Sequence, residues 1–189
     1  MYTSSADWRA ADECIGAGHE ALSLDELLSV LTPRLCTIFQ ADLVMWTTYG
    51  ADMGVTGYRM SPTLKVDHLF APFLELFCEH PWHAQFAKIL PRGQASFLAD
   101  YMPVRDLLRT GLWNEVYIHL YSKHQISVGG PMDASNYFTF GINRLGRAYG
   151  PRERQLIHFM RPKIEALIQR STRAVQTRHF AETLQQFFA

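Results

Sequence analysis

Cysteine is scarce in this chain: Cys14, Cys36 and Cys78 are the only three in 189 residues. None falls in a C-x-x-C pair and the number is odd, which argues against a disulfide framework. A reducing, cytoplasmic setting is therefore expected. Charge is sparse too, at 19% of residues, and it is balanced, with 18 Lys plus Arg against 18 Asp plus Glu. A domain that grips nucleic acid normally carries a basic excess, so these residues are not expected to hold DNA themselves. Met1 to Glu20 lacks the apolar core of a signal peptide. No apolar run is long enough to span a bilayer, so no membrane partner is expected. There is no G-x-S-x-G, the turn that presents a hydrolase serine.

What is present is apolar and aromatic, 48% and 13% of residues respectively. That suffices for one domain with its own core. Ser23-Leu24-Asp25-Glu26 reads as a capping box, with Leu22 and Leu27 as a hydrophobic staple. Leu24, Leu27, Leu28, Leu31, Leu35 and Ile38 then recur at helical spacing, and Pro33 is expected to kink or break that helix. Ala41 to Tyr49 and Val55 to Met60 read as paired strands around a turn at Asp52-Met53-Gly54. Val44, Trp46 and Thr48 share one face of the first strand, and Leu43, Met45 and Thr47 share the other.

A helical block follows. Leu69, Phe70, Phe73, Leu74 and Phe77 form one stripe, and Trp82, Phe86, Ile89 and Leu90 form another after the His80-Pro81 turn. Gln94 to Leu98 is a short strand. Leu107 to Tyr121 is helical with a break at Gly111. Lys123 to Val128 and Ser135 to Leu145 alternate as strands around a loop at Gly129 to Asp133. A long helix opens at Gly150-Pro151-Arg152-Glu153, and Pro162 is expected to bend it. The fold class is α+β: an antiparallel sheet flanked by helices, with a long C-terminal helix.

Three chemistries are excluded on the residues. Gly16-Ala17-Gly18-His19-Glu20-Ala21 fits G-x-G-x-x-A, but no buried strand precedes it to aim a turn at a pyrophosphate. A plain N-terminal loop is expected there, and no cofactor. His80 and His83 lie three apart without enough further ligands for zinc. Cys36 and Cys78 sit on separate elements beside apolar residues, where thiols are usually inert. A small cysteine redox enzyme is thus the weakest functional reading, and no catalytic residue is assigned.

Phe97-Leu98-Ala99-Asp100, then Leu107 to Tyr117 with Trp113-Asn114-Glu115-Val116-Tyr117, then Lys123-His124-Gln125-Ile126, form a distinctive run. His80-Pro81 precedes it. Gly141-Ile142-Asn143-Arg144, Tyr149, Arg152-Glu153-Arg154, Leu156 and Arg161-Pro162 follow. This order resembles the GAF-like N-terminal sensor domain of LuxR-type transcriptional regulators, over roughly residues 80 to 168. Trp113 stands where that pattern has Tyr, and Ala99 where it has Ser. The resemblance implies a ligand-sensing regulatory domain with a small molecule bound between the sheet and the helical block. It implies DNA contact only through a helix-turn-helix domain, and residues 1 to 189 contain none.

The aromatic residues supply the candidate binding set: Trp46, Tyr58, Trp82, Phe86, Trp113 and Tyr117, with His124 as a polar partner. Gln125 and Glu115 are further polar candidates. Ordinary core is the competing reading for each of them. Residues 1–21 are read as an N-terminal extension, 22–170 as the sensor domain, and 171–189 as a helix for dimerisation or signal coupling. Phe180, Leu184, Phe187 and Phe188 repeat at helical spacing in that last segment. A homodimer seam is preferred over packing on the parent domain, because little core is left to cover them. A ligand-free dimerisation or protein-interaction module is the alternative function.

Overall fold

The computed structural model describes residues 3–52, 54–83, 93 and 95–187, with side chains along the last helix described as far as Val175 and at Thr177. Two antiparallel helices open the chain, α1 (Ser5–Glu20) and α2 (Leu24–Phe39). Strands β1 (Leu43–Tyr49) and β2 (Val55–Ser61) follow, then a helical block containing α3 (Phe70–Glu75). β3 (Ala95–Phe97) leads to a short helix at Val104–Leu107 and a π-helical turn at Trp113–Tyr117. β4 (His124–Pro131), β5 (Tyr137–Arg144) and the closing helix (Pro151–Phe187) complete the chain. The five strands form one antiparallel sheet in the order β2-β1-β5-β4-β3. The α+β class expected from the sequence is the one found.

The sheet divides two apolar cores. Val44 and Trp46 of β1, Ile126 and Val128 of β4, and Phe138, Phe140 and Ile142 of β5 face α1, α2 and the closing helix. Leu156, Ile157, Met160, Ile164, Leu167 and Ile168 of the closing helix pack into this same core. The other face is covered by the helical block, where Leu69, Trp82, Leu98, Leu107, Leu112, Val116 and Tyr117 cluster. Strand side chains alternate by two, so one residue's shift of register would exchange these two sets.

Several local expectations change. Within the N-terminal extension, where a loop is expected at Gly16 to Ala21, Ser5–Glu20 form the helix α1. Ser4 caps it by accepting the Asp7 N–H at 3.2 Å. Gly16 and Gly18 are therefore helical residues rather than a phosphate turn. Gly18 lets α1 lie close to its neighbours, since a Cβ there would stand 2.7 Å from Leu167 Cδ1 and 3.2 Å from Leu27 Cδ1. At α2, Ser23 accepts the Glu26 N–H at 3.1 Å, but Glu26 reaches back to the Leu22 N–H at 2.8 Å rather than to Ser23. Leu22 is 81% exposed, so the staple does not form. Pro33 and Pro162 break neither helix. Both rings face solvent, the side on which a helix tolerates a stretched hydrogen-bond ladder. Gly129 and Gly130 belong to β4, and the loop falls at 132–136. Gly130 is where Glu165 of the closing helix crosses the strand, with its Cγ 3.4 Å from where a Cβ would lie. Cys78, expected to be buried, is exposed.

Polar side chains fasten the start of the closing helix in three directions. Arg152 pairs with Asp7 of α1 and donates to the Ile38 carbonyl at 3.2 Å. Arg154 pairs with Asp100 and lies 3.9 Å over the Phe97 ring. Glu153 is buried, accepts the Gly150 N–H at 2.8 Å, and stands 3.1 Å from Arg147 and 3.7 Å from buried Arg144. Arg144 in turn donates to the carbonyls of Phe39 at 3.0 Å and Ala148 at 2.8 Å, and stacks 3.9 Å over Tyr149. Removing one partner of a buried ionic cluster strands the other, at a cost of roughly 3–5 kcal/mol. Exposed pairs contribute roughly 0–1 kcal/mol. Glu153→Leu should therefore lower stability by about 3 kcal/mol or more in urea denaturation, whereas Asp100→Asn, in a half-exposed pair, should cost less than about 1 kcal/mol.

Candidate ligand site

The face of the sheet under the helical block carries small and polar residues where a filled core would have Val or Ile. Met45, Thr47 and Tyr49 of β1, Thr139 and Gly141 of β5, and Gln125 and Ser127 of β4 form a floor. The register sets Thr47 opposite Thr139, and Gly141 between Met45 and Ser127. Over this floor stand Val66, Leu69, Phe70, Phe73, Phe77, His80 and Trp82 from one limb of the block, and Val116, Tyr117 and Leu120 from the other. They enclose a cavity of about 190 Å³. Leu74, Val55 and Gly54, all exposed, edge it where it meets solvent.

Gly141 shapes the floor. A Cβ there would stand 2.9 Å from Gln125 Nε2, so its absence is what lets the Gln125 amide lie across the strand. Gln125 Oε1 is buried and makes no hydrogen bond with the described residues. The indole N–H of Trp82 is likewise buried without a partner among the described residues. Tyr49 Oη lies 3.5 Å from Thr139 Oγ1. Burial, first, and the Thr139 bond against it leave the Tyr49 hydroxyl with a raised pKa. Tyr117 is raised too, by burial first and by Tyr49 second. Both stay protonated.

His80 sits among aromatic rings, 5.4 Å from Phe77, 5.2 Å from Trp82 and 5.8 Å from Tyr117. Its Nδ1 accepts the Trp82 backbone N–H at 3.0 Å, which leaves the ring hydrogen on Nε2. Burial, then the nearby His83, pushes its pKa down to about 3. The described lining thus carries no charge at neutral pH. Among the described residues, no group of three or more His, Cys, Asp or Glu is placed to hold a metal.

The π-helical turn at Trp113–Tyr117 brings Val116 and Tyr117 over the floor. Beyond it, Ser122 N–H closes on the Tyr117 carbonyl at 2.9 Å, and Tyr121 takes a left-handed backbone, φ 54°. Glycine usually fills that position, and a side chain there costs roughly 1–2 kcal/mol. The strain sits one residue from Ser122, which lines the cavity.

Of the aromatic set expected from the sequence, the structure brings Trp82 and Tyr117 together in the lining. Gln125, a further candidate, joins them. Trp46 does not: the alternation of β1 sends it to the opposite face, into the core with the long helices. His124 also falls on that opposite face, beside Arg144 across the strand pair. Tyr58 is 39% exposed on the edge strand, where its hydroxyl bonds Asp67 and its ring packs 4.9 Å from Phe70. Trp113 packs on the block's core a step outside the cavity, and Glu115 is exposed. Phe86 lies outside the described residues, as do Ile89 and Leu90. Thr47, Thr139, Ser127 and Gly141 were not anticipated. Their signal was available: polar or small residues alternating with Trp46, Phe138, Phe140, Ile126 and Val128 on strands at the centre of the sheet.

No family model and no curated protein matches the chain in sequence. Solved structures do match. The ligand-binding domain of VqsR from Pseudomonas aeruginosa is 19% identical at a TM-score of 0.65, over 90% of this chain and 99% of that one. CepR2 from Burkholderia cenocepacia, an N-acylhomoserine-lactone-dependent LuxR-family transcription factor, is 10% identical at 0.63, over 87% and 93%. JSC1_58120g3, in its far-red absorbing dark state with biliverdin IXa bound, is 12% identical at 0.58, over 86% and 98%. The fold is thus the GAF-like one of sensor domains, as found in LuxR-type regulators.

The neutral state of His80 has a consequence for stability. Its folded pKa lies below the ordinary 6.5, so the unfolded chain takes up the proton first on acidification. The stabilisation is complete above about pH 6.5 and is lost as pH falls towards 3, at up to about 1.4 kcal/mol per pH unit. His124, also lowered, contributes with the same sign. Urea midpoints for the native protein should drop between pH 6.5 and 4.5, and His80→Phe should flatten that slope.

Proposed function

We propose that the chain is the ligand-sensing regulatory domain of a bacterial transcriptional regulator. The observation that carries this is the cavity between sheet and helical block, apolar above, polar below and open to solvent at one edge. Ligand sites have that composition. The similarity in fold to a domain described as ligand-binding, and to a transcription factor described as acylhomoserine-lactone-dependent, supports it. DNA contact is assigned to a separate helix-turn-helix domain, and the cytoplasm is the compartment.

The sheet supplies the coupling. Gln125 and Ser127 face the cavity, while Ile126 and Val128 between and beside them pack on the closing helix. A ligand that adjusts the floor of β4 therefore acts on the helix through the thickness of one strand. A signal follows only if the ligand favours one helix arrangement over another. The closing helix continues to Phe187, past Ser171, its last buried side chain among those described. This favours a second role as a homodimer seam, and it is also the observation behind a ligand-free dimerisation module. The side chains of Phe180, Leu184, Phe187 and Phe188 lie outside the described residues.

A thermal-shift screen of small molecules, with native mass spectrometry on the purified protein, tests the first reading. A ligand at a hundred times its Kd should stabilise by about 2.7 kcal/mol. Ser127→Phe, which fills the cavity from its floor, should abolish the shift. A library that moves neither protein would sink the ligand reading. For the seam, size-exclusion chromatography of the chain ended at Arg170 should show loss of the dimer; an unchanged oligomer would remove the helix from that role.

A further inference from the structure

The cavity specifies its occupant more narrowly than size and hydrophobicity alone. Its described lining contains no Asp, Glu, Lys or Arg, and the one imidazole in it is neutral. An ionised ligand would give up its hydration for no opposite charge, which costs several kcal/mol. The walls are rings: Phe70, Phe73, Phe77, Trp82 and Tyr117. Flat apolar surfaces of this kind favour an aromatic guest by stacked and edge contacts. The volume, about 190 Å³, is that of a single ring with a short substituent. For scale, a dry protein cavity of about 150 Å³ accepts benzene.

Three polar atoms on residues of the lining are left over among the described residues. Trp82 offers a donor, its indole N–H, Gln125 offers an acceptor, Oε1, and Thr47 offers a hydroxyl that can do either; all three side chains are buried and none of these atoms has a partner among the described residues. A buried polar group without a hydrogen bond is destabilising, and native folds rarely keep one without a reason. Here the Trp82 donor and the Gln125 acceptor come from opposite sides of the cavity, the block and the floor, and are of complementary type, with Thr47 also on the floor. A guest that both accepts and donates satisfies them together.

We infer that the site takes an uncharged, one-ring aromatic compound bearing a hydrogen-bond acceptor and donor, the acceptor towards Trp82 Nε1–H and the donor towards Gln125 Oε1. This rests on the ligand-sensing reading of the same cavity. A primary aryl carboxamide is the simplest member of the class. Hydrogen-bonded recognition of this kind rejects analogues that lack the polar group, because the buried protein atoms are then left unpaired. Gly141 contributes indirectly, by giving the Gln125 amide room to lie over the strand.

Three probes of similar shape separate the terms: benzamide, neutral with both groups; benzoate, its charged counterpart; and ethylbenzene, with neither. Each is titrated against the full chain at pH 7 by protein-observed NMR. Benzamide is expected to bind most tightly, with benzoate at least about tenfold weaker, a difference of about 1.4 kcal/mol. Gln125→Leu and Trp82→Phe should each weaken benzamide by about tenfold, yet leave ethylbenzene unchanged. The ethylbenzene result shows that each variant is folded with its cavity intact. Benzoate binding as well as benzamide, or benzamide indifferent to Gln125→Leu, would overturn the assignment. Should no probe bind while native mass spectrometry finds another compound lost on Ser127→Phe, the ligand class fails and the sensing role stands. Should nothing bind at all, both fall.

Discussion

The strands β1, β4 and β5 are covered on both faces, and the two coverings differ in kind. One set of alternating side chains is Val, Ile, Phe and Trp, and it seals against three helices. The other is Thr, Ser, Gln, Gly, Met and Tyr, and it leaves space. Everything else depends on this two-sidedness. The apolar face supplies the burial that holds the domain together, so the second face is free to be underfilled. Because the register is anchored from the helix side, the polar floor keeps its geometry even though little packs upon it.

The outline of the fold was legible in the residues, because periodicity survives without tertiary context. The helical stripe from Leu24 to Ile38, the alternation through Val44 to Thr48, and the pairing of two strands before the closing helix all appear where expected. Residues 5–20 did not read as a helix: two glycines and a mean hydropathy near neutral hide a stripe that Ala11, Cys14 and Ile15 complete only against α2 and the closing helix. The site was read in part. Aromatic residues drew attention because they are large, yet Trp46 and His124 point away from the cavity. The residues that make room, Gly141, Ser127, Thr47 and Thr139, are small and chemically plain. A cavity is a property of what is missing, and it shows in sequence only once faces are assigned.

The run of residues that resembles LuxR-type sensor domains has a physical content of its own. Asp100, Arg144, Arg152, Glu153 and Arg154 are fasteners between the closing helix, the sheet and α1, not ligand contacts. Of these, Arg144 and Glu153 are buried, and a buried charge cannot change alone. Within the same run Tyr117 and Gln125 reach the cavity. The pattern thus carries architecture firmly and chemistry only at two positions.

The first helix runs beside the closing helix in the same direction. Asp7 meets Arg152 near their starts, Asp12 meets Lys163 midway, and Arg170 binds the carbonyls of Gly18 and His19 at the far end. Two parallel rods clamped at three points resist bending far better than one. A shift imposed on the closing helix would therefore move a clamped pair, not a single rod, as far as Arg170. Trimming the chain at the capping box before α2 would remove one rod of the pair, and with it that stiffness.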